Sequence, residues 1–267
     1  MKRKKKRILL LCVTVLLCCV LGYSLYRYFS ARQVYDEEKE NHQALLAYRP
    51  TLPPELAEEE THGAEASEPS EVEAFAGRRP AIIKSPNMSI RLLQEQYPDT
   101  VGWITVPGTM VDYPIMQAED NDYYLHRRQD GSHLYAGIPF MDYRNDPYCR
   151  DKNTIIYGHH MKNGTMFGTL VYFKDKEFFD SHDYFYVFLP DCTIRAKVVA
   201  CLVVEVNQAS YAYEIEPGPD YLSQLKTDAR RIRDFTPGEN DRYITLSTCD
   251  YEFENCRVLI VGLVQDD

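Results

Sequence analysis

The sequence predicts a mainly β domain, closed as a barrel or folded as a sandwich, standing on an N-terminal membrane helix. Three observations predict it. Seven short runs rich in β-branched and aromatic residues are separated by Gly, Pro, Asp and Asn, a density that suits seven or eight strands. Two stretches around and within those runs carry helical spacing instead. Ahead of everything, nineteen uncharged residues follow a basic cluster.

Met1–Arg7, MKRKKKR, holds six positive charges in a chain of 267 residues whose net charge is −10, so the remainder carries −16. That balance leaves no basic face for phosphates and argues against a nucleic-acid partner. Ile8–Tyr26, ILLLCVTVLLCCVLGYSLY, would reach ~29 Å as a helix, about the thickness of a bilayer's hydrocarbon core. Tyr23, Tyr26 and Tyr28 gather at one end, where aromatic rings favour the interface. We therefore expect a cytoplasmic tail at 1–7, a transmembrane anchor at 8–29 and an outward-facing remainder. A cleaved signal peptide is the rival reading, but it calls for a shorter apolar core and a small-residue cleavage site.

Residues 30–81 read as stalk and linker. Arg32–Tyr48 can extend the membrane helix as a charged stalk. Residues 51–76 contain eight glutamates, three prolines and no lysine or arginine, a composition that buries too little to fold. Such a coil spans ~30 Å and holds a domain near the membrane without touching it.

The folded domain is expected at 82–267. Ser85-Pro86 suits a helix start, and Ile90, Leu93 and Tyr97 follow at helical spacing until Pro98. The strand runs are VGWITV, VDYPIMQ, NTIIYG, YFYVFL, TIRAKVVACLVVEV, YITLST and RVLIVGLV. Late among them, Asp220 can cap a helix whose Leu222, Leu225, Ala229 and Ile232 share a face, with Pro237-Gly238 as its end.

Eight cysteines occur with no CxxC pair. Cys12, Cys18 and Cys19 belong to the membrane segment. Cys149, Cys192, Cys201, Cys249 and Cys256 lie beyond it, an odd number that leaves at least one thiol unpaired within a monomer. Cys249 ends a strand. Alternation sets Tyr243, Thr245, Ser247 and Cys249 on one face and Ile244, Leu246 and Thr248 on the other, core-facing side. Cys256 should also face the core. A thiolate at Cys249 would be a strong nucleophile.

Two partners suit acyl transfer at that sulfur. His159 and His160 follow the strand NTIIY, and an imidazole can hand a proton to a departing amine. Arg257 opens the strand after Cys249, and its guanidinium can bind a developing oxyanion. Taken singly, these are also ordinary features: a surface histidine pair and a strand-end arginine with its head in water.

TLSTC at 245–249, followed by Arg257 and an apolar strand, resembles the signature of the sortases, cysteine transpeptidases of Gram-positive cell surfaces. WITVPGTMVDYPIMQ (103–117), NDYYL (121–125), GIPFMDYRN (137–145) and NTIIYGHHMKNGTMFG (153–168) resemble the same family in order and wording. The likeness covers about 180 residues, from near Ser85 onward. The serine in TLSTC, the GHxM context and the helix before the cysteine strand are most similar to class B sortases.

That resemblance implies a closed sortase-type β-barrel of about seven or eight strands with peripheral helices. It implies catalytic roles for His159, Cys249 and Arg257, and a substrate groove lined by Asn121, Leu125 and Ser247. His160 stands where class B members often carry asparagine. The implied partners are exported proteins bearing a C-terminal sorting signal, cleaved after threonine, and an amine acceptor on a cell-wall precursor or a pilin lysine. The lipid bilayer would be met through the N-terminal helix. No cofactor is expected. Three other readings remain at this point: a surface cysteine peptidase that releases product to water, a catalytically silent β-barrel that binds partners, and a zinc site built from His159, His160 and a cysteine.

Overall fold

A computed structural model of the chain describes residues 2–56 and 81–265. The acidic stretch expected to act as linker falls largely outside them. Helix α1 (Lys2–Leu45) is a single run of 44 residues, ~66 Å long at the usual rise. Leu10, Leu11, Leu16, Leu17 and Leu21 are all exposed on it, so its apolar part is uncovered by the protein. By length and composition it is a candidate membrane span.

Ten strands follow among the described residues: β1 (Ile82–Lys84), β2 (Thr100–Thr105), β3 (Asp112–Met116), β4 (Phe140–Met141), β5 (Asn153–Tyr157), β6 (Tyr184–Phe188), β7 (Cys192–Glu205), β8 (Ala229–Ile232), β9 (Arg242–Cys249) and β10 (Cys256–Val264). Eight of them close a ring in the order β7-β10-β9-β5-β4-β3-β2-β6, with β6 pairing back to β7. The barrel expected from the sequence is therefore present. Pairs β3–β4 and β5–β9 are parallel and the other ring pairs antiparallel. Strands β1 and β8 add to the long β7 from outside the ring.

The barrel is filled by one apolar cluster that includes Ile104, Ile115, Ile156, Phe185, Ile194, Ile244, Leu246, Val258 and Ile260. A second cluster lies outside it, where α4 (Tyr221–Asp228) and a short 3-10 helix (Ser210–Tyr213) cover Tyr243, Leu259 and Val261. A third joins Trp103 and Phe188 to Ile90 and Leu93 of α2 (Met88–Gln96) and to Leu45 and Leu56 of the N-terminal segment. A short α3 (Lys176–Ser181) also stands on the surface, capped by the Asp175 carboxylate.

Two sequence expectations are corrected here. The helix after Asp220 ends at Asp228 rather than at Pro237, because Ala229–Ile232 leaves it to pair with β7. The face of β9 expected to lie open is buried: Thr245 is fully covered and its hydroxyl donates to Asn153 Oδ1 at 2.9 Å. Only Cys249, at the strand's end, emerges from that cover. The charged stalk continues α1 as far as Leu45 and also docks on the domain. Arg49 pairs with Asp112 at 2.7 Å, and the His42 Nε2–H donates to the Asp112 carbonyl at 2.9 Å.

Gly262 shows how tightly the ring is packed. At this position β10 shifts register against β7, and a Cβ would lie 2.5 Å from the Phe185 ring. Gly262→Val should cost about 1–3 kcal/mol through overpacking, read as a lower thermal midpoint by circular dichroism. Gly218→Ala, where nothing lies within 4 Å, should leave that midpoint almost unchanged.

Candidate active site

Topology brings the three candidate catalytic residues to one rim. Strand β9 runs parallel to β5, with Tyr157 opposite Ser247, so both strands finish at the same end of the barrel. His159 follows β5 by two residues and Cys249 closes β9. Strand β10 runs antiparallel to β9, which returns Arg257 to the position directly across from Cys249. Directly opposed residues have Cβ atoms about 4.5–5.5 Å apart.

All six residues singled out in the sequence line a single cavity of about 380 Å³: Asn121, Leu125, His159, Ser247, Cys249 and Arg257. The rest of its wall was not anticipated. Phe140, Tyr157, Gly158, Val206, Tyr213 and Thr248 complete it, and make the groove largely aromatic and aliphatic. Tyr157 and Tyr213 lie nearly parallel, with ring centroids 6.3 Å apart. The Tyr213 hydroxyl and Ser247 Oγ are 3.1 Å apart.

His159 is oriented by a hydrogen bond from its Nε2–H to the Leu125 carbonyl, 2.8 Å. A carbonyl only accepts, so Nδ1 is the nitrogen that carries the lone pair when the ring is neutral. Burial lowers the His159 pKa from its ordinary value. The Leu125 bond opposes that change, while the nearby charges of His126 and Arg257 reinforce it. The His126 ring stacks on His159 with centroids 5.2 Å apart.

The neighbouring histidine does something else. The His160 Nδ1–H donates to the Cys249 carbonyl at 2.8 Å, and Asp250 lies 4.0 Å from the same nitrogen, itself paired with Lys174 at 2.6 Å. The Tyr251 hydroxyl donates to the His160 carbonyl at 3.1 Å. The two imidazoles thus hold different partners, each through one ring nitrogen.

Asn121 borders the cavity, but its amide is committed elsewhere. Its Nδ2 donates to Asp142 at 3.0 Å and its Oδ1 accepts from the Tyr143 N–H at 3.0 Å. Asp142 is fully buried and also accepts from the Tyr157 hydroxyl at 2.9 Å and from Arg144. Burial alone would raise its pKa; Arg144, Asn121 and Tyr157 outweigh that and hold it below the ordinary carboxylate value. This buried anion ties the Asn121 and Tyr157 walls together.

The remaining thiols differ from Cys249. Cys149, Cys201 and Cys256 are buried, Cys256 on the core side as alternation requires, and all are unpaired in the structure. Burial pushes Cys149 and Cys201 up to about 12. Cys249 alone among them opens into the groove.

Gly158 sets the local backbone. Its N–H donates to the Ser247 carbonyl at 3.1 Å, and a Cβ there would meet the Phe167 ring at 2.5 Å. The loop bearing both histidines therefore leaves β5 beneath an aromatic lid that no larger residue admits.

Titrated through its ring ¹⁵N shifts by NMR, His159 should pass from imidazolium to the Nε2–H tautomer at a pH below about 6.5. A higher midpoint would mean that the groove does not desolvate it.

The sortase domain model matches residues 104–264, more than half of the chain. Sortase B of Listeria monocytogenes is 40% identical over 180 residues, which cover 65% of this chain and 72% of that relative. The solved structure of sortase B from Listeria monocytogenes superposes with a TM-score of 0.58 at 39% identity, covering 65% of this chain and 98% of the other. A Streptococcus pyogenes class B sortase involved in pilus biogenesis gives a TM-score of 0.62 at 29% identity, covering 66% and 97%. With a barrel of the same design and this much shared sequence, the chain belongs to the sortase family of cysteine transpeptidases, in its class B.

Proposed function

We propose that Cys249 is the nucleophile, His159 the general acid and base, and Arg257 the oxyanion-binding group of a transpeptidase that acts on C-terminal sorting signals. The observation that carries this reading is their convergence on one groove with Asn121, Leu125 and Ser247. The Cys249 thiolate attacks the carbonyl carbon of threonine in the signal. The C–N bond breaks, the imidazolium of His159 gives its proton to the leaving amine, and a thioester remains on sulfur. An acceptor amine, from a cell-wall precursor or a pilin lysine, then attacks the thioester carbonyl. It loses its proton to neutral His159, and the thiolate departs.

The electrostatics suit that cycle. A desolvated imidazolium beside Arg257 surrenders its proton readily, which favours the acid step. Nδ1 is the nitrogen left for the transfer, since Nε2 is held by Leu125. The Arg257 guanidinium, a planar fork of donors, belongs to the residue directly across from the attacking sulfur. The aromatic wall of Tyr157 and Tyr213 gives the signal peptide an apolar bed, with the Ser247 hydroxyl at its floor. The mainly apolar α1 would anchor the enzyme in the bilayer, its basic N-terminus cytoplasmic and the barrel outside, where exported proteins pass.

With a sorting-signal peptide as substrate, hydroxylamine should divert the product from the free acid to the hydroxamate, as measured by mass. Release to water regardless of added amine would instead mark a peptidase. Cys249→Ala should abolish the thioester adduct, and Arg257→Ala should lower kcat by about 10²–10³-fold, the usual loss for an oxyanion donor.

A further inference from the structure

The loop from Gly158 to Phe167 carries both histidines, and its inner side chains are Met161 and Met166, buried against Tyr113, Leu134 and Ala136. Val34 and Tyr35 of α1 pack on that same cluster. The Tyr113 hydroxyl accepts the Met166 N–H at 3.1 Å and donates to the Glu38 carboxylate at 3.2 Å. Glu38 is only 1% exposed. One turn further along α1, the His42 ring stacks on Tyr113 with centroids 4.3 Å apart. Asn41 accepts from Gln129 at 3.1 Å, also out of solvent.

We propose that α1 is part of the catalytic apparatus as well as its anchor: Glu38, acting through Tyr113, is a positioning residue for the loop that presents His159. The proposal rests on the catalytic reading above and concerns a segment that the sequence marks only as a charged stalk. Met166 has a φ of +54°, in the left-handed region that residues with a side chain avoid. Such a conformation persists where its surroundings impose it, and the Tyr113 hydroxyl holds its amide. Met166 forms a β-bridge with His160, and the next residue's N–H donates to the His159 carbonyl at 2.9 Å. A shift of Met166 is therefore passed directly to the backbone of both histidines. From there it reaches the nucleophile through the His160 bond to the Cys249 carbonyl.

The test uses the full chain in lipid nanodiscs, a sorting-signal peptide and an added amine. Burial raises the Glu38 pKa, with Tyr113 and His42 pulling against it, so glutamine is a close substitute for its acceptor oxygen. Glu38→Leu and Tyr113→Phe should each lower kcat about tenfold, on the scale of a small misplacement of a catalytic group, with KM unchanged. Glu38→Gln should recover most of the loss. The double variant Glu38→Leu with Tyr113→Phe should be no slower than the slower single one, because both cut the same link. Wild-type kcat in both single variants, or losses that multiply, would overturn the proposal. If Glu38→Leu fails to fold, Tyr113→Phe keeps the buried ring and carries the test alone. A wild-type chain that transfers nothing to the amine would sink the catalytic reading itself; an active wild type with equally active variants would sink only the role of the helix.

Discussion

The parallel pairing of β5 with β9 is the constraint on which the rest of the site depends. Were these strands antiparallel, the histidine loop and the cysteine would leave the barrel at opposite ends. Because they run together, the β5 exit and the β9 terminus share a rim, and the antiparallel return of β10 adds a guanidinium to it. Strands are stiffer than loops, so the three groups inherit their spacing from a hydrogen-bonded ladder. The closed ring reinforces this, since a barrel has no free edge along which the register could slip.

What the ladder does not supply, buried polar groups do. Asp142 collects Asn121, Tyr157 and Arg144 beneath one wall of the groove. Asn153 does the same beneath the other: its side chain donates to the Ala212 and Glu214 carbonyls and accepts from Thr245. These contacts hold the turn that presents Tyr213. Each hub is fully buried and fully engaged, the condition under which buried polar networks specify one arrangement instead of weakening it. The walls of the groove are thus built on side chains that do not themselves line it.

The seven patterned strands and the two ends of the site were legible from residue type and spacing, and TLSTC together with YGHH named the chemistry. Other features were hidden for identifiable reasons. Strand β4 has two residues, too few to show a period. Leu225, Ala229 and Ile232 fall at helical intervals, yet the chain turns at Asp228 and the last two join a sheet. Thr245 and Ser247 look like an exposed polar face; they are covered by segments that no local pattern connects to them. Tyr213 reaches the groove on a short 3-10 helix distant in the chain, and Asp142 lies buried behind the Tyr157 wall, where no local pattern announces it. Glu38 and His42 resemble the solvated charges of any stalk, and only the docked barrel reveals their burial.

Closure of the ring also depends on the last strands of the chain. Strand β10 is hydrogen-bonded to both β7 and β9, and β5 gains its second neighbour only when β9 arrives. A chain that stopped at β8 would lack both β9 and β10, and with them Cys249 and Arg257. The two strands that join β5 to β7 and complete the ring are thus the ones that carry the sulfur and the guanidinium. A product truncated at β8 would carry the histidine loop without the thiol and guanidinium proposed to act beside it.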